Sequence, residues 1–245
     1  MKENQPLRNI NRVITMKKYN KIKKILFAAI CGGLFIACQQ PHNVNDPLQA
    51  LCLGNSITKH PIKEDIEWFS DWGMAASNIE YDYCHQLEKM LCKYHPNSTV
   101  TPLTIASWER NLSCDIDSLI GSYCKNKDII IIRLGENVQD VTTFPDAISR
   151  LVKYCQSKAK RVIITGCFWK NDSKERSIIH AARTNDLTYV PLYWIDNLYN
   201  VRPQIGDTLY DINKKPYVIT QDFIITHPND EGMQMIAETI WGVIR

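Results

Sequence analysis

Three residues are of types that could together perform acyl transfer: Ser56 in "LCLGNSITKH", Asn137 in "RLGENV" and His227 in "FIITHPNDEGM". A serine hydroxyl is a weak nucleophile until an imidazole within hydrogen-bond reach takes its proton, and the oxyanion that then develops needs donors held in place. Serine, histidine and a side-chain amide fill those roles. Taken singly, each has a plainer use: the serine or the asparagine could close a turn, and the histidine could fill the approach to a helix capped by Asn229 or Asp230. What separates the two readings is placement, because each of the three follows an extended, apolar run. In an open parallel sheet, ligands bind at the carboxyl ends of the strands near the point where strand order reverses.

The elements that must position these residues are legible as apolar runs at 50–53, 99–105, 128–134, 161–166 and 188–192. "DIIIIRL" and "RVIIT" are apolar on consecutive positions, which predicts strands covered on both faces. Amphipathic stretches near 79–95, 114–124, 144–158 and 173–187, and a closing "NDEGMQMIAETIWGVI", predict the intervening helices. Strands alternating with helices define a three-layer α/β domain. Two long connections interrupt the rhythm, at 57–78 and 193–223, and the second contains a predicted hairpin around Asn213 and Lys214. Long loops in such a domain usually carry function.

In this order and at these positions, the motifs resemble those of the SGNH (GDSL-like) hydrolases, over about residues 49–245. "LGNSIT" is similar to the family's first block, "LGEN" to the third and "HPND" to the last. Together with "WGMAAS" and "SWERN", they also resemble a subgroup of exported lipoproteins from Bacteroides-like bacteria. The resemblance implies a flavodoxin-like α/β/α fold with a five-stranded parallel sheet, Ser56 as nucleophile, His227 as base and Asn137 as oxyanion donor. Two positions depart from the family. Its acid, three residues before the histidine, is Ile224 here; Asp222 lies two further back, on the same face of an extended segment, and is the expected orienter of His227. Glu136, Glu109 or a backbone carbonyl could substitute. The second-block glycine is missing from "ASWERN", so the backbone N–H of Glu109, or of its neighbour Trp108, is expected to serve the oxyanion.

Five of the six tryptophans fall in connections expected to rim the site, and Trp72, Trp108 and Trp169 are candidate substrate contacts, since a flat apolar ring with one donor suits sugars and acyl groups. The expected substrate is therefore an ester of a small molecule or glycan, with O-acetylated carbohydrate foremost. The alternatives are a lipase or phospholipase, or a non-catalytic glycan-binding protein. No cofactor and no metal site is expected.

A lysine-rich segment followed by thirteen uncharged residues, 25–37, is too short for a bilayer of ~30 Å and reads as a secretory leader. The "LFIAC" ending resembles a lipoprotein lipobox, which makes Cys38 the expected lipidation site and a membrane anchor. Residues 1–37 are thus a leader, 38–48 a linker and 49–245 the hydrolase domain, exported to the periplasm or outer membrane surface. The leader holds eight of the 29 basic residues and one of the 26 acidic ones; the remainder, 21 basic and 25 acidic, has a net charge of −4. That balance, with no basic stripe, argues against nucleic acid as a partner. Seven cysteines lie beyond Cys38, and Cys84 and Cys92 are about 12 Å apart along one predicted helix, so buried thiols are expected rather than a disulfide framework.

Overall fold

The third strand is four isoleucines, and they show how the core is built. In a computed structural model, which describes residues 46–245, Ile129 and Ile131 point into one apolar cluster while Ile130 and Ile132 point into another on the opposite face. The first strand does the same, with Ala50 and Cys52 on one face and Leu51 and Leu53 on the other. Side chains alternate along a strand, so an unbroken apolar run requires cover on both sides.

Five strands form the sheet: β1 (Gln49–Gly54), β2 (Thr99–Thr104), β3 (Ile129–Ile132), β4 (Arg161–Thr165) and β5 (Thr188–Val190). All pair in parallel, in the order β2-β1-β3-β4-β5. Six helices belong to the domain: α1 (Tyr83–Tyr94), α2 (Ala106–Arg110), α3 (Ile116–Ile120), α4 (Phe144–Gln156), α5 (Asp172–Thr184) and α6 (Asp230–Ile244). Helices α1 and α6 cover one face through Leu87, Leu91, Met233 and Ile236, whereas α4 and α5 cover the other through Ile148, Leu151, Val152 and Ile178. Each such buried aliphatic side chain contributes roughly 1.5–3 kcal/mol. The three layers and the parallel sheet expected from the sequence are present. Two strands, β6 (Thr208–Tyr210) and β7 (Pro216–Val218), form the expected hairpin, with Lys214 in the left-handed region at its turn. The one helix the sequence did not announce is α2, a single short turn directly after β2.

The chain passes from β1 outward to β2 and then returns to the other side of β1 as β3, so strand order reverses between β1 and β3. The carboxyl ends of those two strands are where Ser56 and Asn137 follow. The long connection after β1 is held by Trp68 and Trp72, both buried and packed edge to face, whose indole N–H groups donate to the carbonyls of His60 and Ala76. The seven cysteines among the described residues are free thiols, five of them buried. The expected leader, Cys38 and most of the linker lie outside the described residues.

Gly135 follows β3 at φ +140, a conformation that L side chains rarely adopt, and an added Cβ would lie 2.6 Å from Cys167 Sγ. Gly135→Ala should therefore destabilise the fold by about 2–4 kcal/mol. Denaturant unfolding of the two proteins measures this; equal stability would show that the turn accommodates a side chain.

Candidate active site

At Gly54 the chain turns so tightly that an added Cβ would lie 1.8 Å from Thr58 Oγ1. The amides of Thr58 and Lys59 donate to the carbonyl of Asn55 at 2.9 and 3.0 Å, and Met74 N–H donates to the carbonyl of Ser56 at 2.8 Å. Ser56 is thereby held on a fixed turn at the end of β1. Its Oγ lies 2.9 Å from His227 Nε2.

His227 ends the 3-10 turn Ile224–Thr226, and its Nδ1 is 2.9 Å from the carbonyl oxygen of Phe223. A carbonyl only accepts, so Nδ1 carries the proton and Nε2 is the free acceptor facing Ser56. Asp222, expected to orient the ring, is exposed, and no hydrogen bond joins it to His227 among the described residues. The segment before His227 is not extended: Phe223 and the residues after it fold into a tight turn that brings a backbone carbonyl, in place of Asp222, to the imidazole. Histidine and serine thus form a dyad oriented by the main chain.

Glu109 and Glu136 do not orient the histidine either; they build the floor beside it. The buried Glu109 carboxylate accepts from Gly135 N–H at 2.6 Å, from Asn137 N–H at 3.3 Å and from Asn137 Nδ2 at 2.7 Å. Because a carboxylate offers no donor, the Asn137 amide nitrogen must face it, which settles the orientation of that side chain and leaves its second N–H free. Asn55 is treated the same way: its Nδ2 donates to Glu136 at 2.7 Å and to Glu109 at 3.3 Å, while its Oδ1 accepts from Arg133 and from Ile57 N–H. Arg133, wholly buried, pairs with Glu136 at 2.7 Å. Burial, followed by the charge of Glu136, pushes the Glu109 carboxyl above its usual range, and its amide donors pull it back. Glu136 was expected only as a possible orienter of His227, and Arg133 was not singled out from sequence, although a charged residue ending the run "DIIIIR" was a visible sign.

A cavity of about 580 Å³ lies over Ser56, His227 and Asn137. After β2 it is bordered by Thr104, Ala106, Ser107 and Arg110; Ala106 and Ser107 open α2, where N–H groups have no partner within a helix. Glu109 and Trp108, whose N–H groups were expected there, do not border it: Trp108 N–H donates to the carbonyl of Ile105 at 2.8 Å, and the Glu109 side chain reaches Asn137 instead. The tryptophans also separate. Trp169 borders the cavity, donates to the carbonyl of Thr226 at 2.9 Å and meets the His227 ring edge to face at 5.2 Å. Trp72 and Trp108 do not contact the cavity: Trp72 packs under the first loop, and Trp108 packs on Phe144 with its N–H unpaired. Each has more apolar area than the sheet edge could leave in water.

Burial, first, and then the positive charge of Arg133 and His60 hold the His227 imidazole down at about 4, against the bond to Phe223, which raises it. The ring is therefore neutral, and able to accept a proton, at neutral pH.

The layers and the strand order match the flavodoxin-like α/β fold expected for an SGNH hydrolase. Similar solved structures include an acetylxylan esterase from Geobacillus stearothermophilus, in a catalytic mutant (14% identity, 82% of this chain and 95% of that one, TM-score 0.55). An α/β hydrolase enzyme from the metagenome of Lake Arreo, Spain, is similar at 12% identity over 81% and 95% of the two chains, with a TM-score of 0.52. A two-domain esterase active on acetylated mannans, crystallised with mannopentaose, is similar at 17% identity and a TM-score of 0.56, over 92% of this chain and 53% of that one. No protein-family model matches the sequence, and no curated protein is similar to it.

The neutral imidazole has a consequence for stability. Above the ordinary histidine value of 6.5, His227 is uncharged in both the folded and unfolded chains. Between about 6.5 and 4 the unfolded chain takes up the proton and the folded chain does not, so stability falls as the pH falls, by up to about 3 kcal/mol. Urea unfolding of the wild type and His227→Gln across this window isolates the effect. The gap between the two proteins should change in that window, and parallel curves would show that the ring titrates normally.

Proposed function

We infer that the chain is a serine esterase of the SGNH type that removes O-acyl groups, acetyl foremost, from carbohydrate. The observation that carries this reading is the 2.9 Å approach of Ser56 Oγ to an imidazole nitrogen whose acceptor state is fixed by the Phe223 carbonyl. The names of the similar structures, two of them esterases acting on acetylated xylan or mannan, support the substrate class, as does the Trp169 ring at the cavity wall. The expected leader, residues 1–37, followed by Cys38, is the support for action outside the cytoplasm from a lipid anchor.

In this reading His227 Nε2 takes the Ser56 proton as Oγ attacks the ester carbonyl. The free N–H of Asn137, with the amides opening α2, receives the oxyanion. The protonated ring then gives its proton to the departing sugar oxygen, leaving an acyl group on Ser56. Water, deprotonated by the same nitrogen, releases the acid and restores the serine. An imidazolium formed here has a carbonyl dipole beside it in place of a carboxylate, and hence less stabilisation than a triad would give it.

Ser56→Ala should lower hydrolysis of 4-nitrophenyl acetate and of O-acetylated xylo-oligosaccharides by about 10³-fold or more. Retention of the rate would remove Ser56 from the reaction, and a rate rising with acyl chain length would favour a lipase over a deacetylase. Glu109 is a positioning residue. In Glu109→Gln an amide replaces a group that must accept from every side, so Asn137 loses its fixed orientation. We expect kcat to fall by about 10- to 100-fold with KM little changed; a change confined to KM would place Glu109 in substrate binding.

A further inference from the structure

The walls of the catalytic cavity are unlike the surface around them in charge. The chain from residue 38 onward is net acidic, yet among the residues bordering this cavity there is no Asp or Glu, while His60, Lys63 and Arg110 all border it. Two cations with no acid between them, set in a partly enclosed cleft, give a positive local potential that draws in and retains anions.

Both cations stand on fixed supports. Lys63 lies on the first long loop, where its N–H donates to the carbonyl of Trp68 at 2.8 Å and its carbonyl accepts the return bond from Trp68 N–H at 3.2 Å, and the Trp68 ring is wholly buried. Arg110 ends α2, whose two preceding residues, Trp108 and Glu109, are buried. The first loop also carries acids, none of which borders the cavity: Asp65 lies 3.6 Å from Lys63 itself in an exposed pair, Asp71 lies 3.5 Å from Lys59, and Glu67 accepts from the Thr220 hydroxyl. Exposed pairs of that kind are weak and exchange readily for a better partner. Arg110 forms no ion pair among the described residues; Asp140, in the neighbouring depression that Arg110 also borders, is occupied by the backbone and hydroxyl of Thr143. The lowered proton affinity of His60, to which Lys63 and Arg110 contribute after burial, agrees with three basic groups facing one space.

We propose that the alcohol half of the ester is an acidic sugar, whose carboxylate or sulfate is received by Arg110 and Lys63 while its acyl group lies at Ser56. The two cations are exposed side chains at the open side of the cavity, which places the charged group on the part of the substrate that leads outward. A guanidinium matches a planar or tetrahedral oxyanion with paired donors, and an ammonium adds a point charge. This inference rests on the esterase reading for the chemistry, but not for the binding.

The test uses methyl glycosides of O-acetylated glucose, O-acetylated glucuronic acid and O-acetylated glucose 6-sulfate. Titration calorimetry on Ser56→Ala reads binding without turnover, and kcat/KM on the wild type reads recognition in the reaction. One or both acidic sugars should be favoured over the neutral one by about tenfold at low ionic strength, with the ratio shrinking as salt is added. The more favoured of the two identifies the anion as carboxylate or sulfate. In Arg110→Gln, the acidic-to-neutral ratio measured within that variant should fall to about two. Equal binding and equal kcat/KM for neutral and acidic sugars would overturn the proposal while leaving the esterase standing. Preferential binding of an acidic sugar without hydrolysis of any ester would overturn the esterase and leave the anion site in place. A ratio unchanged in Arg110→Gln and in Lys63→Gln would remove both residues from recognition.

Discussion

A carboxylate taken out of water must find donors or lose several kcal/mol, and the site of this protein is organised around one such group. Glu109 is 1% exposed, and its oxygens are reached by donors from two other segments: Asn55 after β1, and Gly135 and Asn137 after β3. It hangs from a short helix after β2. The ends of the three strands around the point of reversed order are thus joined through a single charge. That charge can only accept, so it dictates which way every neighbouring amide points. Ser56 is set by a backbone turn, but the Asn137 amide beside it is set by electrostatics.

The second constraint is what stands behind the histidine. A carboxylate would hold the imidazole by a charged bond and favour its protonated form; the Phe223 carbonyl fixes the same tautomer with a dipole alone. Such a ring is correctly aimed and remains a free base far into acid. Its weakness lies in the protonated state, which burial and the nearby Arg133 both oppose. Orientation and charge stabilisation, often supplied together by one aspartate, are here separated.

How much of this was legible follows from how local each cause is. Strands read as uninterrupted apolar runs because double-sided burial leaves its mark on every residue, and "DIIIIRL" could hardly be anything else. Ser56 and Asn137 could be placed at one edge because strand ends are local features and the rule for open parallel sheets supplies the rest, whereas His227 reaches that edge from a 3-10 turn and not from the extended run expected before it. Asp222 could not be judged, because whether it faced His227 depended on the segment being extended, and three residues of 3-10 turn reverse the answer. Trp72 and Trp108 lie in loops by sequence, yet loops that pack onto a sheet bury their largest rings, as Trp68 does as well. The Glu109 network was invisible for a different reason: its partners lie 26 to 54 positions away, and only the topology brings them together.

The dyad and the basic cavity bear on one another. Every positive group near the imidazole, Arg133 and His60 among them, raises the free energy of the imidazolium that the proposed acyl transfer would form. Lys63 and Arg110 border the same cavity and act on His60. In a triad an adjacent carboxylate offsets such a field permanently. Where the orienter is a neutral carbonyl, the offset has to arrive from elsewhere, and an anionic group on the substrate would supply it only while substrate is bound. A neutral ester would meet the full opposing field, whereas an acidic one would cancel part of it as it docks. On the proposed reading the missing aspartate and the charge of the cavity are connected: binding energy from a remote charge would be converted into a lower barrier at the reacting centre.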